Sequence, residues 1–230
     1  VVGVVVKYKY FNRGSTGELP FPVDWTPEQK VEEFLQCPLI NFKNLQLLDE
    51  GSFGRVYRCN RETAGSGFQT LAVKVFKNET ADKKAGENFI KEGNNLMQLK
   101  HPNIISVESA LEKTYRFEKF LYIVMEMMQG KSLKDHIVEH RRQPAKRLGT
   151  KEIFHLYVQI RSALCYLRDE GIVHLDVKPE NILTTIAPDD INSVSDYSEP
   201  KFVVKLSDFG LARDQISTAH KRSSVFQGTL

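Results

Sequence analysis

Four clusters of residues in this chain have the types and spacing to do chemistry. The segment HLDVKPEN (174–181) sets Asp176, Lys178 and Asn181 within one loop after a short apolar run. Asp, Lys, Pro and Asn are all favoured turn residues, so the loop needs no function. The same side chains also meet the needs of phosphoryl transfer: a carboxylate to orient and deprotonate an attacking hydroxyl, a cation beside the phosphate, and an amide oxygen for a metal. A second carboxylate, Asp208, heads DFG at 208–210. Hard oxygen ligands such as Asp208 and Asn181 suit Mg2+, which takes a few protein oxygens along with substrate phosphates. Upstream, Lys74 lies inside the apolar run LAVKVF (71–76). It either snorkels outward from a half-exposed strand or points inward, where it needs anionic partners such as Glu92 and a bound phosphate. GSFGRV (51–56), with Gly51, Ser52, Phe53 and Gly54, is either a plain hairpin or a loop of backbone N–H groups over phosphates.

These residues require elements to position them. TPEQKVEEFL (26–35) reads as a short helix, with Thr26 as N-cap and Pro27 in the first turn. Strand character follows around 44–48, 55–59 and 71–76, as neighbouring antiparallel strands. Residues 81–100 space Phe89, Ile90, Leu96 and Leu99 as a helix would, ending at His101-Pro102. Two more strands are predicted over 104–111 and 121–127, then a break at Gly130 and a helix over 133–139 capped by Ser132. Thr150 is expected to cap a long helix whose core stripe is Ile153, Tyr157, Ile160, Leu164 and Leu167, closed by Gly171. Short strands are expected at 172–173, 182–183 and 202–206. A strand-rich half followed by a helix-led half predicts an α+β fold of two lobes.

Composition narrows the field. With 41% hydrophobic and 27% charged residues the chain suits a globular fold, which excludes a disordered, collagenous or multi-span membrane protein. Its 32 basic residues are balanced by 29 acids and interspersed with them, so no nucleic-acid footprint is expected. Cys37, Cys59 and Cys165 lack disulfide or zinc spacing, which makes a reducing compartment the default. VVGVVV at 1–6, followed by Lys7, Lys9 and Arg13 with two tyrosines, is read as a β-branched strand or tail in preference to the cytoplasmic end of a membrane helix. A membrane anchor upstream of Val1 is thus an open alternative, and the expected location is the cytoplasm or the cytoplasmic side of a membrane.

In this order, GSFGRV, AVK, a helical Glu, HLDVKPEN and DFG closely resemble the eukaryotic protein kinase family. The resemblance implies a two-lobed fold with an antiparallel sheet and one helix in the N-lobe, at about 45–128, after an extension over 1–44. It implies a mainly helical C-lobe over 129–230 with an insertion at 184–200. By the same resemblance Lys74 holds the α- and β-phosphates of ATP and pairs with Glu92, while Asp176 is the catalytic base. Lys178 contacts the γ-phosphate, and Asn181 and Asp208 bind Mg2+. Gly51, Ser52, Phe53 and Gly54 cover the phosphates. Met125 backs the adenine pocket, Glu126 and Met128 form the hinge, and Val56, Ala72 and Leu183 sandwich the base. KPEN and Gly228-Thr229 resemble the Ser/Thr-specific branch, whose substrates are protein hydroxyls. The HLD variant is similar to that of the myosin light chain and death-associated kinases.

The sequence departs from the family pattern in places. Asp49 stands where the first loop glycine is usual, which predicts weakened ATP affinity. Leu175 replaces the arginine that pairs with a phosphorylated activation loop, so activity is expected to be independent of that phosphorylation. The sequence reaches Leu230 short of the APE position, and the chain alone is expected to expose apolar C-lobe surface.

Overall fold

The computed structural model describes residues 19–38, 40–51, 54–63, 67–76, 83–142, 149–185, 203–209 and 213–214. Its first element is helix α1 (Pro27–Gln36). Thr26 accepts from the Gln29 backbone while the Gln29 side chain accepts from the Thr26 N–H, a reciprocal capping box that satisfies two orphan donors. Strands β1 (Lys43–Glu50), β2 (Gly54–Glu62) and β3 (Phe68–Phe76) follow, then helix α2 (Lys83–Gln98) and strands β4 (Val107–Tyr115) and β5 (Glu118–Glu126). They form one antiparallel sheet in the order β1-β2-β3-β5-β4.

Alternation along β3 and β5 sends side chains to two separate cores. Leu71, Val73 and Val75, with Phe120, Tyr122 and Val124, face an outer core completed by Phe21, Val31, Phe34, Leu35, Cys37 and Phe42. Much of the segment set apart at 1–44 therefore packs on the sheet. Phe76, Leu121 and Ile123 face an inner core with Phe89, Leu96 and Leu99 on or just after α2, and this core continues into the second half of the chain.

That half contains helix α3 (Leu133–Arg142), helix α4 (Thr150–Asp169), and strands β6 (Ile172–Val173), β7 (Ile182–Thr184), β8 (Val204–Leu206) and β9 (Arg213–Asp214), with a 3-10 turn at Pro179–Asn181. β7 pairs with β8 and β6 with β9, both antiparallel. Two features of α4 differ from expectation. Gly149, with no side-chain cap, holds the N-cap position, and Thr150 is the first helical residue. The buried stripe is Leu156, Ala163 and Leu167, while Ile153 and Tyr157 are 55% and 60% exposed beside Phe154 and Val158. The helix is apolar on two faces, and the described residues cover only one of them. Gly171 does close the helix, at φ +72°, a backbone conformation that glycine adopts without strain.

The halves are stitched at one seam. Asn103 donates from its side chain to Gln159 and to the Val204 carbonyl, and its own carbonyl accepts from Leu206 N–H. Gly130 N–H donates to the Thr184 carbonyl. No helix among the described residues is long and apolar enough to cross a membrane.

Candidate active site

Lys74 points inward. Its strand neighbours Val73 and Val75 fill the outer core, so alternation sends the ammonium to the other face, where its side chain is only 13% exposed. There Nζ lies 2.9 Å from Asp208 Oδ1, from a residue 134 positions later. The ring of Phe89 lies 5.9 Å from the same ammonium and favours a cation over its face. The Glu92 side chain lies outside the described residues, as do Ser52 and Phe53, so the expected Lys74–Glu92 pair is not visible; its backbone lies in α2.

The loop at 174–181 is ordered by His174, a residue with no role expected from the sequence. The imidazole is buried, donates from Nε2 to the Ser207 carbonyl and accepts at Nδ1 from the Asp176 N–H. Both nitrogens are thereby used in the neutral form. Burial holds its pKa below the usual histidine value, against the opposing pull of the Ser207 carbonyl and of Asp208 and Asp176. Its ring also packs on Phe209 at 4.5 Å, which ties the loop to DFG. The only sequence signal for this residue was its place at the head of HLDVKPEN.

Asp176 is buried yet well partnered. Asn181 Nδ2 donates to its carbonyl at 2.9 Å and to Oδ2 at 3.0 Å, and Lys178 Nζ lies 2.9 Å from Oδ2. That carboxylate holds the Lys178 pKa above the ordinary lysine value. Asn181 is fixed in turn, since its carbonyl accepts from Ser207 N–H and Oγ. Two backbone conformations that side chains rarely adopt flank the cluster, Leu175 at φ 64° and Asp208 at φ 58°. Such strain persists only where the surroundings enforce it, and here it accompanies the two acidic groups. The structure thus brings together Lys74, Asp208, Asp176, Lys178 and Asn181.

The donor set fits Mg2+. Asn181 spends its Nδ2 on Asp176, which leaves Oδ1 as a neutral oxygen donor, and the Asp208 carboxylate is 43% exposed. Among the described residues no cluster of three or more His, Cys, Asp or Glu could hold a metal. Two oxygen ligands suit an ion held chiefly by substrate phosphates.

The other predicted positions fall on the sheet, on β7 and on the chain just beyond β5. Val56 pairs with Lys74 across β2 and β3, and Ala72 pairs with Met125 across β3 and β5. Leu183 sits on β7, bridged to Ser132. Gly51 N–H donates to the Gly54 carbonyl and closes the β1–β2 hairpin. Gly54 is required for a reason other than phosphate approach: a Cβ there would lie 2.5 Å from the Val75 carbonyl oxygen. Asp49 lies at the end of β1, where its carboxylate accepts from Glu50 N–H. Met128 is buried just beyond the sheet.

Glu126 is expected at the hinge from the sequence, but its partner Lys205 is not expected near it. Lys205 on β8 donates to Glu126 Oε1 at 2.6 Å, and the same oxygen accepts from Ser106 N–H. This ties the end of β5 to the second half of the chain. The signal was a charged residue inside an apolar strand, the same one that marked Lys74.

A strand-borne lysine meeting Asp208 of DFG, together with a loop that pairs Asp with Lys and Asn, is the arrangement of the two-lobed protein kinase fold. The protein kinase domain family matches residues 42–230, and the chain belongs to that family. It is 36% identical over 177 residues to sporulation protein kinase mde3 of Schizosaccharomyces pombe, covering 75% of this chain and 29% of that protein. It is 31% identical over 230 residues to serine/threonine-protein kinase dkf-1 of Caenorhabditis elegans, covering 90% and 29%. DNA damage response protein kinase DUN1 of Saccharomyces cerevisiae is 32% identical over 173 residues, with 72% and 32% covered. The chain therefore spans about a third or less of the length of these relatives.

Proposed function

We propose that this chain carries the catalytic centre of a serine/threonine protein kinase that transfers the γ-phosphoryl of MgATP to protein hydroxyls in the cytoplasm. The observation that carries the reading is the ion pair between Lys74 of the sheet and Asp208 after β8, set beside the Asp176–Lys178–Asn181 cluster. Lys74 would hold the α- and β-phosphates, trading part of its contact with Asp208 for them. Asp176, positioned by Asn181 and by the His174-anchored backbone, would orient a substrate hydroxyl and accept its proton. The hydroxyl oxygen forms a bond to the γ-phosphorus as the bond to the bridging oxygen of ADP breaks. Lys178, already beside Asp176, would meet the negative charge on the transferred group. Mg2+, when bound by Asp208 and Asn181, would neutralise phosphate charge. KPEN favours Ser/Thr over Tyr acceptors by resemblance.

The test is phosphate transfer from labelled MgATP to a peptide library by the full-length protein, compared with Asp176→Asn and Lys74→Met. Each substitution is expected to lower transfer by about a hundredfold or more, the usual scale for a proton acceptor or a phosphate clamp. Transfer that survives Asp176→Asn would refute the assigned base, and tight MgATP binding without any transfer would point to a nucleotide-binding scaffold.

A further inference from the structure

Phe21, Val31, Phe34, Leu35 and Cys37 lie outside the stretch that matches the kinase family, yet they supply one side of a core. Val31, Phe34 and Leu35 of α1 bury themselves against the outer face of the sheet. The ring of Phe34 stacks on that of Phe120 at 4.2 Å and 5°. The residues beneath, Tyr57 on β2 with Val73 and Val75 on β3, alternate with Val56, Ala72 and Lys74. This strap therefore backs the strands whose other face carries the candidate nucleotide site.

Polar contacts pin the strap at the turn between β4 and β5. Tyr115 pairs with Glu118 across a two-residue turn, and both central residues, Arg116 and Phe117, have positive φ, 45° and 67°. That geometry is the hairpin turn usually built from Asn-Gly, and two bulky side chains there are strained. The guanidinium of Arg116 lies 2.6 Å from Glu33 of α1, donates to the Leu19 carbonyl, and sits over the Phe21 ring at 5.6 Å. Tyr115 also donates to Glu33, and Lys30 of α1 pairs with Glu118 at 2.6 Å. Arg116 thus gathers three parts of the strap from one strained position. Under the strap, the fully buried hydroxyl of Tyr57 has no hydrogen-bond partner among the described residues. Because the Arg116 side chain is only 28% exposed and is held by Glu33, the Leu19 carbonyl and the Phe21 ring together, its contacts hold the strap more firmly than a lone surface ion pair would.

We propose that Arg116 is a positioning residue for the nucleotide site, acting through the strap to keep β2 and β3, and with them Lys74, in place. The inference rests on the kinase reading above for what the site binds.

Its test uses the chain with Arg116→Ala and, separately, with Arg116→Asn and Phe117→Gly together. The second variant installs the preferred turn while removing the clamp, together with the half-exposed Phe117 ring. Two quantities are read: amide hydrogen exchange without nucleotide, over Leu71–Phe76 and over Val204–Leu206, and the Kd for Mg2+ with a non-hydrolysable ATP analogue. Both variants are expected to speed exchange in β3 by about tenfold with β8 unchanged, and to weaken nucleotide binding by about three- to tenfold. Unchanged exchange in β3 would overturn the inference. So would an effect confined to Arg116→Ala, which would belong to the turn, or equal acceleration in β8, which would be global destabilisation. Absence of nucleotide binding by the unaltered chain would refute the proposed function instead, and the exchange in β3 would still decide whether the strap is held by Arg116.

Discussion

Replacing glycine by alanine inside a helix ordinarily stabilises a protein by about 0.5–1 kcal/mol, because alanine loses less backbone freedom on folding. Helix α2 contains two buried glycines at which the sheet below decides the outcome. At Gly93 a Cβ would lie 2.4 Å from the Cβ of Ala110 on β4, and 3.0 and 3.1 Å from Ile123 side-chain carbons on β5. Non-bonded carbons rest at about 3.5–4.0 Å, so the helix would have to retreat by roughly 1 Å. The Ala110 Cβ is fixed to its backbone and cannot swing aside. At Gly86 the nearest atom is Leu121 Cδ1 at 2.8 Å, the far end of a side chain that can change rotamer. Overpacking of a rigid site costs about 1–3 kcal/mol, which cancels or exceeds the gain in helix propensity. Gly93→Ala should therefore be less stable than Gly86→Ala by about 1–2 kcal/mol, with the propensity gain common to both.

Urea unfolding of the two variants measures that difference directly. Function should respond more strongly than stability, because α2 carries Glu92 immediately before Gly93. A displacement of about 1 Å in a group that orients a reacting centre costs up to about a hundredfold in rate. Phosphate transfer by Gly93→Ala in the full-length protein should thus fall by at least tenfold. Equal stability of the two variants would refute the steric account of this helix. Gly93→Ala that is destabilised but fully active would refute the view that helix placement sets the site.

Stability should fall as pH drops below about 6.5, because the unfolded chain then binds a proton that buried His174 resists, and one such group contributes a slope of at most about 1.4 kcal/mol per pH unit. Burial lowers the His101 pKa too, so the informative measurement is the slope of unfolding free energy between pH 5 and 7 in His174→Gln, which should be shallower than in the unaltered chain. An unchanged slope would count against His174 as the neutral anchor of the Asp176 loop. Asp49→Gly should tighten MgATP-analogue binding by up to about fivefold, the effect of removing one solvent-screened negative charge near phosphates. Equal or weaker binding on calorimetry would mean that its carboxylate serves only the turn at Glu50.

The parts of the site that could be read from sequence are those whose signal is local. The loop residues Asp176, Lys178 and Asn181 lie within six positions of each other, whereas the apolar run around Lys74 leaves open whether its ammonium points in or out. The Thr26 cap and the Gly171 stop of α4 are similarly local. What escaped depends on contacts distant in the chain. One partner of Lys74 is Asp208, 134 residues on, and no pattern around either residue specifies that distance. The stripe predicted for α4 holds at Ile160 and Leu167 but not at Ile153, Tyr157 and Leu164, because the helix is apolar on two faces and periodicity cannot say which face finds a partner. The turn at Arg116-Phe117 carries none of the usual turn residues, so the hairpin was read as two separate strands.

The same distinction explains how the two cores relate to function. The inner core joins α2, the sheet and α4, and so fixes Lys74 relative to Asp208 and the loop at 174–181. The outer core adds no residue to the site, yet it occupies the alternate positions of the strands that hold Lys74, Val56 and Ala72. A strand cannot shift on one face without shifting on the other, since period two places both sets on one backbone. Changes in the outer core should therefore reach nucleotide binding through strand position, whereas changes at Lys205 and Glu126 should reach it through the seam between the halves. Kinetics separate these routes: loosened strands weaken the hold on nucleotide in the free protein, and a loosened seam lowers the rate at which bound nucleotide meets Asp176.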